Sequence, residues 1–469
     1  MNLLIIVILP ILSALAVLPF KQQQAKYISL AGALLQWCAA LALFYFYTIN
    51  PDKNGVMFFE QNYQWYQPLH INFHIGVDGI SIAMILAGIL VSWKEERMTK
   101  EFFFLLLLLS AGAYGFFVSL DLFTLFFFLE LAVIPKFLLI GIWGSGKKEY
   151  SAMKLALMLM AGSALVFVGL AGLYFNTSFQ GEYTFDVLQI ASLNIPVAVQ
   201  NLFFPFVFIG FGIFTALFPF HTWVPDGHSS APTAASMFLA GISMKLGGYG
   251  CLRVATWLMP DAAQHYSTII IILACIAILY GAFTTMMQTD LKYINAYSSI
   301  SHCGFVLLGI GMLTKTAING AVLQMVSHGL MTALFFAAIG MLYERTHTRK
   351  VAELGGLLKV MPFISSVFVI AGLCSLGLPG FSGFVAEMTV FMGGWEKAEN
   401  FYRIATIVAC ASIVVTAVYI LRATGSAIMG AVKNEDYLQL GDAKWYEKSA
   451  AVLLLVGIIA MGIAPFWLT

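Results

Sequence analysis

Long apolar runs separated by short polar segments make up most of this 469-residue chain. A helix needs about 17–25 apolar residues to cross a bilayer, and most of the runs have that length. They do not alternate every second residue, so a membrane β-barrel is not predicted. The runs are placed at 2–20, 27–48, 78–93, 102–120, 121–143, 151–174, 200–220, 233–257, 267–289, 292–313, 316–343, 360–395, 401–425 and 447–467. They predict an all-α polytopic membrane protein with about fourteen transmembrane helices, of which the third is unusually short.

Composition agrees with this pattern, because 60% of the residues are hydrophobic and only 10% are charged. A soluble domain carries about 25% charged residues, so this chain is predicted to be an integral membrane protein in contact with lipid. The net charge of +1 argues against a nucleic-acid partner. The first run lacks a preceding basic segment and a small-residue cleavage site, and is therefore interpreted as a retained span.

The distribution of lysines and arginines predicts how the chain is oriented in the membrane. If the N-terminus lies outside, the inner loops carry most of the basic residues, from Lys21 to Lys448, and the outer loops carry only Lys53, Lys315, Lys397 and Arg403. Positive charge collects on the cytoplasmic side of membrane proteins. Both termini are therefore predicted on the outer side, and removing the third span would destroy the pattern.

Two runs contain prolines and glycines that interrupt a helix. The seventh reads PFVFIGFGIFTALFPFHTWVPD, and the twelfth contains AGLCSLGLPGFSGFVAEMTV. In lipid, the backbone groups that such breaks set free must be satisfied by protein or by cavity water. The two interrupted runs are five spans apart, and an odd offset reverses the direction in which a helix crosses the membrane. They therefore fit two repeats of opposite orientation, with a site near the membrane midplane. Ordinary proline kinks are the alternative interpretation.

Four charged residues lie well inside apolar runs, away from the predicted loops: Glu130, Lys136, Lys245 and Glu387. An ionised side chain near the bilayer centre costs at least about 2.5–3.5 kcal/mol, so such residues usually pair inside a bundle and mark an ion path. Glu130 is interpreted as a proton-exchanging group, with a structural salt bridge as the alternative. Lys245 is too deep to snorkel comfortably, and Glu387 follows the LPG break, where an unwound helix can admit water.

Lys136 has two interpretations. It is six residues from Glu130, so the two residues are expected on different sides of one helix. Its stem can snorkel toward the inner surface near Lys148. Otherwise it takes part in the charged path.

Histidines supply a second set of proton-exchanging candidates. His302 and His328 lie within predicted spans, whereas His221 and His228 bracket HTWVPDGH at a predicted break. Histidine exchanges protons near neutral pH at low energetic cost. A zinc site is the weaker alternative, since the four residues lack ligand spacing. A hydrogen-bonded core histidine is the ordinary alternative for His302 or His328 alone.

Other cofactor motifs are not predicted. GIWGSGKK resembles a phosphate-binding loop, but the hydroxyl residue after the lysine is missing and no strand precedes it. The six cysteines lie in apolar runs without a CxxC pair, which favours buried free thiols over iron–sulfur or metal binding.

Several segments together resemble one family. SLDLFTLFFFLELAVIPKFLLIGIWG, LFPFHTWVPDGHSSAPTAASMFLAGISMKLGGYG, QTDLKYINAYSSISHCGFVLLG, LYERTHTR and LGLPGFSGFVAE are similar to the antiporter-like M subunit (chain 4) of respiratory complex I. The resemblance runs from about Val77 to Gly430. Mrp-type cation/proton antiporters and membrane-bound hydrogenases contain related subunits.

The resemblance implies a subunit of the proton-translocating NADH:quinone oxidoreductase in the bacterial cytoplasmic (inner) membrane, beside other antiporter-like subunits of the membrane arm. FMN, iron–sulfur clusters and quinone are then expected in partner subunits, with no cofactor or redox chemistry in this chain. It also implies two inverted five-helix repeats. The expected division is helices 1–3 over 1–100, the first repeat over 101–257, the second over 267–425, and helix 14 over 426–469.

Residue by residue, Glu130, Lys245 and Glu387 resemble the charged positions of helices 5, 8 and 12, and His302 and His328 resemble the relay between them. The resemblance therefore implies an inner input at Glu130, Lys245 at the centre and an outer exit at Glu387. His221 and His228 are secondary candidates.

The chain departs from the family at helix 7, where Phe214 occupies the position of the usual lysine partner of Glu130. The hypothesis is that Lys136, itself unusual in the family, replaces that cation. A secondary cation/proton antiporter subunit, a membrane-bound hydrogenase subunit and a non-transporting structural subunit are the alternative functions.

Overall fold

A computed structural model describes residues 2–50, 57–86 and 97–467 as a mainly helical protein. The first helices are α1 (Leu4–Val17), α2 (Gln22–Thr48), α3 (Gly79–Leu86), α4 (Thr99–Val118), α5 (Leu122–Trp143), α6 (Lys148–Asn176), α7 (Val187–Ser192), α8 (Val197–Thr215), α9 (Trp223–Ser230) and α10 (Thr233–Phe238). They are followed by α11 (Met244–Gly250), α12 (Pro260–Met286), α13 (Leu291–Met312), α14 (Lys315–Thr346), α15 (Leu357–Val360), α16 (Pro362–Ser375), α17 (Ser382–Trp395), α18 (Asn400–Ala427) and α19 (Trp445–Ile463). π-helical turns at Leu239–Ser243 and Cys251–Thr256 precede and follow α11.

Nine of the described helices are long and apolar enough to cross a membrane: α2, α4, α5, α6, α8, α12, α14, α18 and α19. The shorter apolar helices α1 and α16 coincide with the predicted first run and with the first half of the twelfth. The third predicted span ends outside the described residues. The polytopic helical class is therefore confirmed, and the count of fourteen stays a prediction.

Two small hairpins, which the apolar pattern does not predict, add the only strands in the described ranges. β1 (Phe58–Tyr66) pairs antiparallel with β2 (Ile71–Val77), with Phe58 opposite Val77 and irregularities along the register. β3 (Ser178–Phe179) pairs with β4 (Glu182–Tyr183). Polar residues on the exposed side of β1 account for its absence from a prediction based on apolar length.

Aspartates define where several helices begin. The Asp121 carboxylate accepts hydrogen bonds from the backbone N–H groups of Phe123 and Thr124 at the start of α5. Asp290 does the same for Lys292 and Tyr293 at the start of α13. An aspartate at this position satisfies backbone donors that have no partner within the helix.

The chain forms two compact units, one of residues 1–215 and 242–266 and the other of 216–241 and 267–469. This division places 216–241 with the second unit, whereas the predicted boundary between the repeats lies between 257 and 267. The repeat boundaries themselves stay a prediction.

In the first unit, α6 and α8 approach closely. A Cβ atom on Gly210 would lie 2.8 Å from the carbonyl oxygen of Gly162. Small residues allow helix backbones to touch in a membrane, where packing drives association.

In the second unit, α14 is the central helix, since 94% of its apolar window is buried. It packs against α13, α16 and α17. The chain is not helical between Ser375 and Ser382, so the twelfth predicted run consists of two helices, α16 and α17.

Candidate functional site

In the first unit, Lys136 lies inside the protein. Its side chain is 1% exposed, and its Nζ lies 5.7 Å from the centre of the Phe214 ring on α8. A cation over an aromatic face is attracted by the ring's quadrupole. Among the described residues the ammonium has no hydrogen-bond partner. The side chain therefore does not reach an exposed surface of this unit, contrary to the snorkelling interpretation.

Glu130 lies on the same helix, within electrostatic range of Lys136. It is half-buried, and its Oε1 has no hydrogen-bond partner in the described part of the chain. The Phe214 ring therefore lies beside the Lys136 ammonium, and Glu130 lies within electrostatic range of that ammonium.

Lys245 is the second buried lysine of this unit, on α11. The helix packs tightly on α8, because a Cβ on Gly247 would clash with the carbonyl oxygen of Phe211. The flanking π-helical turns are a feature frequent at functional sites. Lys245 is therefore a buried ionisable side chain in a closely packed part of the first unit.

In the second unit, both ring nitrogens of His302 face polar groups. Nε2 lies 3.0 Å from the Ser375 hydroxyl, and Nδ1 lies 3.4 Å from the Glu387 carboxylate. The Gln324 amide nitrogen lies 3.2 Å from the same Nδ1. All four side chains are buried. The predicted residues His302 and Glu387 are therefore neighbours, and Ser375 and Gln324 join them.

His328 extends this cluster along α14. Its ring is stacked against that of His302, with centroids 5.4 Å apart and an interplanar angle of 30°. Its Nδ1 lies 3.9 Å from the Cys303 sulfur. Two imidazoles and a carboxylate are thus placed within a few ångströms of one another, an arrangement that can pass a proton between groups.

The helix break shapes the position of Glu387. Gly377 has φ +72°, and a Cβ on it would lie 2.7 Å from Glu387 Oε2. Only glycine adopts this conformation without cost and leaves room for the carboxylate. The break between α16 and α17 therefore holds the carboxylate directly against backbone.

The secondary histidines have other ring neighbours. His221 contacts the rings of Phe218 and Tyr280, and His228 is stacked on Phe336. These ring contacts distinguish His221 and His228 from His302 and His328, which their positions in the sequence do not. In the same range, no group of three histidine, cysteine, aspartate or glutamate side chains is arranged to hold a metal ion.

Two basic residues assigned to inner loops hold the short helix α9. Lys292 is buried on α13 and donates through Nζ to the Ala231 carbonyl at 2.7 Å. Arg349 donates to the Ser229 carbonyl and pairs with Asp290 at 3.2 Å. Cations stabilise the C-terminal carbonyls of a helix. Sequence reasoning missed these contacts, together with Gln324 and Ser375, because none of these residues interrupts an apolar run.

A separate buried cluster joins the first hairpin to the 177–192 segment. His74 Nδ1 of β2 lies 2.6 Å from the Asp186 carboxylate, and its Nε2 lies 3.6 Å from Glu60. Burial alone would lower the pKa of His74, but the hydrogen bond and charge of Asp186, with those of Glu60, outweigh it and raise the pKa. Burial raises the pKa of the neighbouring Asp121 to about 6, against three backbone donors that lower it.

Residues 119–416 match the sequence model of a family described as NADH:quinone oxidoreductase/Mrp antiporter, transmembrane. The chain is 34% identical to NADH-quinone oxidoreductase subunit M of Rickettsia conorii, over 98% of this chain and 94% of that protein. It is 36% identical to NAD(P)H-quinone oxidoreductase chain 4-2 of Synechocystis sp., over 88% and 75% respectively.

Solved structures share the fold. A chain of respiratory complex I from Thermus thermophilus superposes with a TM-score of 0.89 at 24% identity, over 99% of this chain and 96% of that chain. A chain of the Mrp complex from Dietzia sp. gives a TM-score of 0.83 at 18% identity, over 99% and 94%. At these identities the likeness establishes the fold alone.

Proposed function

This chain belongs to the NADH:quinone oxidoreductase/Mrp antiporter family of transmembrane proteins, and we propose that it is the proton-translocating M subunit of an NADH:quinone oxidoreductase. Its near full-length similarity to curated M and chain 4 subunits supports this assignment. Protons move outward through it, driven by NADH oxidation and quinone reduction in partner subunits. FMN, iron–sulfur clusters and quinone belong to those partners, and other antiporter-like subunits lie beside it in the bacterial inner membrane.

One observation carries the proton-transfer role: the buried cluster of His302, His328 and Glu387 in the second unit. His302 can accept a proton on one ring nitrogen and release one from the other, so it relays protons without moving far. Glu387 lies against the helix break and acts as the acceptor on the outer side. A carboxylate, two imidazoles and an interrupted helix together form the midplane site expected of an inverted-repeat transporter.

The input role belongs to Glu130 and Lys136 in the first unit. Phe214 takes the place of the family's helix-7 lysine, and the ammonium of Lys136 lies over its ring. Lys136 therefore supplies from α5 the positive charge that the family supplies from helix 7. Lys136 and Glu130 have opposite charges within electrostatic range, and together they form the proposed inner input.

Lys245 is the central exchange group, and it separates the input from the relay. Moving one proton outward against 100 mV costs about 2.3 kcal/mol, so an uninterrupted water wire would dissipate the gradient. A lysine that alternates between charged and neutral states interrupts such a wire. The charge state of Lys245 is therefore the proposed gate.

The two halves are proposed to be inverted repeats with both termini on the outer side. Asp121 and Asp290 support the correspondence, because each caps the second helix of its predicted repeat and each is joined to a distant segment by an isolated bridge, to Asp186 and Lys350 respectively. The seventh and twelfth predicted spans, with their proline and glycine breaks, occupy matching positions. His221 and His228 follow the first break and are proposed as secondary members of the path.

The function is tested by reconstituting the intact NADH-oxidising complex and counting protons moved per NADH. Glu387→Gln keeps the shape of the acceptor and removes its charge, so the count is expected to fall. NADH oxidation in the presence of an uncoupler checks that the complex is assembled. An unchanged count would contradict the proposed role of the cluster.

Co-purification distinguishes this proposal from the alternative that the chain is a subunit of a cation/proton antiporter. A tagged chain is expected to co-purify with NADH:quinone oxidoreductase activity from solubilised membranes. Co-purification with small antiporter subunits and no NADH oxidation would favour the alternative.

A further inference from the structure

Two side chains face one nitrogen of His302. Glu387 Oε1 lies 3.4 Å from Nδ1, and the Gln324 amide nitrogen lies 3.2 Å from the same atom. The other ring nitrogen is directed to the Ser375 hydroxyl. A ring nitrogen carries either a hydrogen or a lone pair in the imidazole plane, so Nδ1 can serve these two neighbours only in different protonation states.

The two neighbours require opposite states of Nδ1. An ionised Glu387 carboxylate accepts hydrogen bonds and needs an N–H on Nδ1. The amide nitrogen of Gln324 donates and needs the lone pair. When Nδ1 gives its proton to Glu387, the N–H bond breaks, an O–H bond forms, and the ring keeps its hydrogen on Nε2. In that product, Nε2–H donates to Ser375 and Gln324 donates to the vacated Nδ1.

Packing alone does not explain an amide side chain at position 324. It is buried on α14, and its Oε1 has no hydrogen-bond partner among the described residues. A buried amide oxygen left without a hydrogen-bond partner destabilises the folded chain. An apolar side chain would fill this position more favourably, so the amide is better explained by its contact with His302 than by packing.

We propose that Gln324 is a positioning residue that competes with Glu387 for Nδ1 of His302 and holds the ring in its post-transfer tautomer. The proposal rests on the relay role of His302 and Glu387 proposed above. Once the proton has passed to Glu387, the amide occupies the lone pair that the proton would need for its return. The protonated Glu387 then releases its proton elsewhere, and His302 is ready to be reprotonated.

The test uses Gln324→Met in the intact reconstituted complex. Methionine is similar in length but neither donates nor accepts strongly, so protons moved per NADH are expected to fall as in His302→Asn, with uncoupled NADH oxidation retained. Ser327→Ala is the matched control. Ser327 is buried on the same helix and donates to Ser382 at 2.8 Å, with His302 not involved. An unchanged proton count in Gln324→Met, with a loss in His302→Asn, would overturn this inference alone.

Two further variants distinguish competition from a general structural role. In a Glu387→Gln background, Gln324→Met is expected to cause no additional loss, because one competitor is already altered. An additive loss would contradict the competition. Gln324→Glu keeps an oxygen and lacks the donor, so it is expected to lose pumping; retained pumping would show that the amide oxygen faces Nδ1. If His302→Asn itself leaves the proton count unchanged, the relay proposal fails and not merely the role of Gln324.

Discussion

The Nζ of Lys136 lies 5.7 Å from the centre of the Phe214 ring, inside the first unit. By the proposed resemblance, Phe214 occupies the position of the family's helix-7 lysine, and the ammonium from α5 lies over its ring. We propose that this arrangement keeps one cation near Glu130 while changing the helix that supplies it.

Moving the lysine from α5 to α8 tests this replacement. Lys136→Met removes the cation beside Glu130, so protons moved per NADH are expected to fall. Lys136→Met combined with Phe214→Lys returns a lysine to α8, and we expect a substantial part of the pumping to be recovered. The measurement is proton uptake in vesicles of reconstituted complex.

A matched control is available on α6, where Lys154 Nζ lies 5.6 Å from the Tyr150 ring. Tyr150 is largely exposed, so Lys154→Met is expected to leave the proton count unchanged. If the double variant recovers nothing while the complex assembles, Lys136 does not replace the helix-7 lysine.

The helix break gives a second prediction. Gly377→Ala forces a residue with a Cβ into φ +72°, 2.7 Å from Glu387 Oε2. The left-handed conformation costs about 1–2 kcal/mol for such a residue, and the carboxylate must move. A lower thermal stability and fewer protons per NADH are expected.

Gly425→Ala on α18 provides the comparison. An added Cβ there meets nothing within 4 Å, and alanine stabilises a helix interior by about 0.5–1 kcal/mol relative to glycine. It is expected to leave pumping intact and stability equal or higher. Equal behaviour of the two alanine variants would show that the break does not position Glu387.

The first hairpin gives a pH prediction. The pKa of His74 is raised above its usual 6.5 by Asp186 and Glu60 despite burial. The protonated ring therefore stabilises the attachment of β2 fully below pH 6.5, and this contribution is lost as the pH rises through the higher folded-state pKa. Asp121, with a pKa raised from 3.8 to about 6, also loses stability with rising pH, but in a lower window.

Hydrogen exchange of residues 58–77 between pH 6 and 9 measures this effect, after correction for the intrinsic pH dependence of exchange. Protection is expected to fall with pH, and His74→Gln is expected to remove most of the fall. His70→Gln is the control, because His70 and Glu182 form an exposed pair at 3.4 Å, of a kind that contributes little. The same pH dependence in wild type and His74→Gln would contradict the assignment.

Much of the architecture is predictable from apolar run length, since a membrane imposes one requirement on every span. The two-part twelfth run is also predictable from its LPG sequence. The first hairpin is not, because β1 is polar on its exposed side and the buried contact of β2 joins residues far apart in sequence, His74 and Asp186.

Candidate site residues are predictable only where an ionisable side chain lies within an apolar run. A charge or an imidazole in an apolar run indicates a function, which is how Glu130, Lys136, Lys245, His302, His328 and Glu387 are found. Gln324 and Ser375 are uncharged, and polar side chains of this kind also form ordinary hydrogen bonds between membrane helices, so the sequence alone does not single them out. Lys292 is hidden for another reason: its position at a helix start resembles that of an ordinary loop lysine, although the side chain is buried.

The most direct test of the account is the number of protons moved per NADH by intact complexes carrying Lys245→Ala. Lys359→Ala, at an exposed position, is the control. We expect Lys245→Ala to retain uncoupled NADH oxidation and to move fewer protons per NADH than wild type, with the control unchanged. An unchanged proton count in Lys245→Ala would contradict proton translocation through this subunit and favour a structural role.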